Sequence, residues 1–136
     1  MTLIKHNVLD KLKIEFVSHV PKRVIGLFQA AINIIARAGA PNKPVKVIFA
    51  RGSFPIRFSD DHIGIYIRNL IAYDVDKLEK IKHDELLMAA LLEELVHIYF
   101  DIDDEVKVGK KVAELYPRVK FDEKRCQYVI RSPSQT

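Results

Sequence analysis

Apolar and polar positions divide the chain into stretches of two periodicities. Over 12–18, apolar residues fall on every second position (Leu12, Ile14, Phe16), as in a strand with one buried face. The spacing then changes, and Val24, Leu27, Phe28, Ala31, Ile32, Ile35 and Ala38 recur at helical intervals. Pro21 stands where a first helical turn tolerates proline, and Gly39 and Pro41 end the helix near residue 38. Val45–Ala50 is short and β-branched and predicts a second strand. Segment 54–58 predicts a third, which Pro55 confines to an edge or a strand start. Segment 63–68 predicts a fourth, with Ile63, Ile65 and Ile67 on one face and Gly64, Tyr66 and Arg68 on the other.

Helical spacing dominates the second half. A short helix is expected over 74–82, capped by Asp74 or Asp76, and a long one runs from a cap at Asp84 to about Phe100. Another is expected over 104–116, stopped by Pro117, and a last one over 123–130. Consecutive strands followed by a run of helices predict an α+β domain over 1–131. Its expected form is a small mixed sheet of about four strands with helices packed on one face. The polar tail 132–136 is expected to be disordered.

At 136 residues the chain is one domain by length and can build a core without disulfide or metal staples. Hydrophobic residues make up 49% and charged residues 29%, as in an ordinary globular protein. Neither a leader pattern nor an apolar run long enough to cross a bilayer is present, so no membrane association is expected. Cys126 stands alone and forms no internal disulfide, which fits a reducing interior and a cytoplasmic location. The net charge of +4 gathers towards the last third (Lys107, Lys110, Lys111, Arg118, Lys120, Lys124, Arg125, Arg131). A nucleic-acid surface carries a denser stripe with interleaved aromatics; this pattern reads as a solvated helix face.

Candidate chemistry sits in the long apolar helix. Glu93, Glu94 and His97, with Asp101 one turn further on, fall inside an arc about 100° wide. Glu93 and His97 are four apart and project side by side, the separation of helical metal ligands. Asp101, Asp103, Asp104 and Glu105 crowd the following turn and offer further ligands. The competing reading is a partly exposed stripe, its carboxylates paired to Lys or Arg and its acidic turn offsetting a helix dipole. A Glu-x-x-His pair, here Glu94 and His97, also occurs in di-iron helix bundles, but the strands argue against that architecture. Arg51, Arg57 and Arg68 offer charges across the sheet to the acidic cluster or to an anionic ligand, and His62 offers a loop imidazole.

Residues 93–103, Glu-Glu-Leu-Val-His-Ile-Tyr-Phe-Asp-Ile-Asp, resemble the motif of small zincin-type metallopeptidases, His-Glu-x-x-His-x-x-Gly-x-x-His/Asp. The resemblance implies Glu94 as general base and Glu93, His97 and Asp103 as metal ligands. It also implies a zincin-like fold and an extended peptide or protein partner along the strand at 63–68. Two positions depart from the motif: Glu93 replaces the first histidine, and Phe100 replaces the glycine of the turn. Phenylalanine resists a positive φ, which predicts that Asp103 does not swing back towards His97. Two carboxylates would cancel a dication's charge and acidify bound water less, and they make Mn²⁺ or Fe²⁺ competitive with Zn²⁺. A peptidase with impaired or lost activity is therefore expected, or a non-catalytic interaction module on the same fold.

Overall fold

The computed structural model describes residues 9–52 and 69–131. The expected strands over 54–58 and 63–68 and the tail 132–136 lie outside the described residues, as do Arg57, His62, Tyr66 and Arg68. The chain runs β1 (Leu12–Phe16), α1 (Lys22–Arg37), β2 (Val45–Ala50), β3 (Leu70–Asp74), α2 (Val75–Glu79), α3 (Asp84–Tyr99), α4 (Glu105–Leu115), β4 (Val119–Asp122) and β5 (Gln127–Ile130). The described residues form a mixed α+β structure with one small parallel sheet and one two-stranded antiparallel sheet.

The first sheet has the order β1-β2-β3 and is parallel throughout the described strands. The expectation was a mixed sheet. Register aligns Leu12 with Val45, Val47 with Ile71 and Phe49 with Tyr73, so one face is a continuous apolar surface. The helices α1 and α3 cover that face and pack on each other. Phe28 of α1 meets Phe49 and Tyr73 edge-on, with ring centroids 5.1 and 5.8 Å apart, and Phe49 stacks on Tyr73 at 5.1 Å. The Tyr73 hydroxyl donates to the Leu91 carbonyl at 2.6 Å and fixes α3 against β3. The opposite face carries Lys13, Glu15, Lys46, Ile48, Leu70 and Ala72.

Two elements differ from expectation. Leu70–Asp74 is a strand, where the pattern gave only a helix starting at Asp74. Its run Leu-Ile-Ala-Tyr leads directly into α2, whose cap is the Asp74 side chain accepting from the Asp76 amide. The expected last helix over 123–130 is instead an antiparallel hairpin. Its tip, Glu123 to Cys126, is polar and turns with Cys126 at φ +53°, while Phe121 and Tyr128 face each other across the pair. Asp84 is the first residue of α3 and not its cap; it binds Arg23 at 2.6 Å and so ties the starts of α1 and α3 together. Among the described residues, no helix is long and apolar enough to cross a membrane.

Candidate functional site

Apolar side chains occupy most of the circumference of α3: Leu87, Met88, Ala89, Leu91, Leu92, Leu95, Val96 and Tyr99 are buried. The remaining strip, which includes Glu93, Glu94, His97 and Ile98, is half-buried. The three polar side chains thus share one face at the boundary between core and solvent. A half-buried carboxylate needs a compensating partner, because losing water without one costs free energy.

Glu93 finds its partner on the hairpin, where the Tyr128 hydroxyl donates to Glu93 Oε1 at 2.8 Å. Burial, and then the neighbouring Glu93 charge, push the Tyr128 hydroxyl far above its ordinary pKa, so it remains a donor. Glu94 has no such donor among the described residues. Burial raises its carboxyl above the usual value of 4.5; His97 opposes this, and Glu93 and Glu105 add to it. The Tyr73 hydroxyl is likewise raised, by burial first and then by the Glu94 and Glu93 charges.

His97 is held at both ring nitrogens. Nδ1 lies 2.7 Å from the Ile102 carbonyl, and because a carbonyl only accepts, Nδ1 carries the proton. Nε2 lies 3.4 Å from Glu105 Oε1 at the start of α4. The turn that makes this possible falls one residue later than the motif comparison suggests. Phe100 keeps φ at −101°, and Asp101 takes the left-handed conformation at φ +56°. The Ile102 amide then donates back to the His97 carbonyl at 3.2 Å, closing a Schellman-type helix end. Asp tolerates this conformation better than most residues that have a side chain.

Asp103 and His97 line one hollow of about 170 Å³, together with Asn69, Ile98 and Asp101. Asp104 has a separate task, accepting from the Lys107 amide at 2.8 Å as the cap of α4. Arg51 does not reach the acidic strip; it pairs with Asp76 at 3.0 Å and with Glu79, joining the end of β2 to α2.

Among the described residues, no three His, Cys, Asp or Glu side chains are grouped to hold a metal ion. Glu93 is engaged by Tyr128, whereas His97 and Asp103 face the hollow. Comparison with models of protein families, with curated proteins and with solved structures finds no match for this chain.

The sequence alone does not single out Tyr128, Tyr73 or Asn69. Tyr128 belongs to the segment expected to be helical, where it would not face Glu93, and Tyr73 and Asn69 flank or belong to the strand that the pattern did not yield. A usable signal for Tyr128 exists in hindsight: a half-buried carboxylate on an apolar helix requires a donor from another element.

Proposed function

We propose that this chain is a zincin-like module that has lost peptidase chemistry and works by binding a protein partner. The observation that carries the reading is the engagement of the motif positions by the chain itself. Tyr128 donates to Glu93, and His97 is held between the Ile102 carbonyl and Glu105. The partner surface follows from the sequence expectation of an extended peptide along 63–68, a segment outside the described residues. The proposal places the protein in the cytoplasm, consistent with its single cysteine.

One observation favours a second reading, a retained metal site. With Nδ1 donating to a backbone carbonyl, His97 turns Nε2 outward, as a metal-ligating imidazole does, and Glu105, 3.4 Å away, would have to yield that nitrogen. Glu93 and Asp103 would complete a set for Zn²⁺, Mn²⁺ or Fe²⁺ with Glu94 as base, and Glu93 would have to release Tyr128.

The deciding experiment is hydrolysis of an unstructured peptide library by purified protein with added Zn²⁺ or Mn²⁺, comparing wild type with Glu94→Gln. The proposal expects no cleavage above background from either protein. Cleavage by the wild type that Glu94→Gln abolishes would replace it with the second reading.

A further inference from the structure

We propose that the start of the parallel sheet forms a binding site for a small phosphate monoester. The site shares Asn69 with the hollow beside α3 but does not depend on the reading of that helix. Its basis is a hollow of about 360 Å³ whose lining includes Lys11, Lys13, Lys46, Pro44, Asn69 and Leu70. That volume falls in the range of about 300–1,000 Å³ typical of small-molecule sites.

Lys46 lies about thirty residues beyond Lys11 and Lys13, so no single basic run announces the three. The parallel register assembles them: Lys13 lies beside Lys46, and Lys46 beside Leu70, in one row across β1, β2 and β3. This row belongs to the face opposite the one covered by α1 and α3. Backbone bonds hold the rim in place before any ligand arrives. The Lys46 amide donates to the Asn69 carbonyl at 2.9 Å, the Val45 amide to the Lys11 carbonyl at 3.4 Å, and the Lys11 amide to Asn42 Oδ1 at 3.1 Å. Such a frame lowers the ordering cost of binding.

Charge is left over at the hollow. Lys46 reaches Glu15 at 3.2 Å, but both side chains are more than half exposed (53% and 54%), so the pair is weak and screened. Among the described residues, neither Lys11 nor Lys13 pairs with an acid. Three ammonium groups against one carboxylate suit a multiply charged oxyanion, which lysine binds as a compact point charge. Pro44 and Leu70 give the hollow an apolar wall that a bare inorganic ion would not use, while Asn69 supplies an amide. The combination fits a phosphate attached to a flat or apolar organic group.

Isothermal titration calorimetry on the full chain tests this with adenosine 5′-monophosphate as probe, against inorganic phosphate and adenosine alone. Saturable binding of the monophosphate is expected, about tenfold tighter than either fragment. Lys13→Gln and Lys46→Gln should each weaken it about tenfold, while Lys124→Gln on the distant hairpin tip leaves it unchanged. Unaltered thermal unfolding of the variants, which change exposed side chains, would show that the fold is intact. Absence of saturation, equal affinity for inorganic phosphate, or indifference to both lysine substitutions would overturn the proposal.

Discussion

At the level of single side chains, the α3 strip makes two carboxylates behave differently. Glu93 has a phenolic donor, so removing the donor should leave a half-buried charge short of a partner. Tyr128→Phe is expected to cost about 1–2 kcal/mol in urea unfolding, and a double-mutant cycle with Glu93→Gln should assign most of that to the pair. Glu94 is raised by burial, so its ionisation opposes folding as pH climbs from the unfolded value of about 4.5 through the higher folded value. Glu94→Gln should therefore be more stable than wild type at neutral pH, and the advantage should vanish below about pH 4, where both states are protonated. A gain that persists unchanged in acid would contradict burial as the cause. The polar strip itself could be read from the sequence, because Glu93, Glu94 and His97 interrupt an otherwise apolar helix at helical spacing. Their partners could not, since Tyr128 and Ile102 reach them only through the hairpin and the turn.

Turns and short strands decide the next level. The helix end at Asp101 uses a left-handed residue where glycine would be freer. Asp101→Gly is expected to stabilise by about 0.5–1 kcal/mol, and Asp101→Val to destabilise, both measurable by chemical unfolding. On α4, a Cβ at Gly109 would meet the Phe121 ring, with Phe121 Cδ1 and Cγ at under 3 Å. Overpacking there should outweigh the helix propensity of alanine, so Gly109→Ala should cost about 1 kcal/mol or more. In a Phe121→Ala background the same change should become stabilising, and that reversal of sign checks the contact. The long helices α1, α3 and α4 declared themselves because each repeats its apolar spacing over three or more turns. The hairpin did not, because four-residue strands such as Val119–Asp122 offer too few positions to separate alternation from helical spacing. Leu70–Asp74 was hidden for a related reason: its apolar run has no break before the Asp74 cap.

Over the whole molecule, strand pairing is the information that local pattern lacks. The α+β class followed from the order of elements, but the parallel direction of the described strands and their β1-β2-β3 order depend on contacts between residues about thirty positions apart, such as Leu12 with Val45. That pairing creates both the apolar face under α1 and α3 and the lysine row opposite. It also brings Asn69 to the hollow beside His97 and Asp103, an arrangement that no local motif encodes. In the proposed reading, the loss of peptidase chemistry is a property of the assembled fold: the hairpin and the start of α4 engage Glu93 and His97, groups that a metal would need. Thermal unfolding of metal-stripped protein, repeated with increasing Zn²⁺ or Mn²⁺, tests this without reference to substrate. Specific binding to the folded state raises stability in proportion to RT ln(1 + [L]/Kd). The engaged strip predicts a melting temperature that does not move with either ion. A progressive rise with metal concentration, lost in His97→Ala, would contradict it.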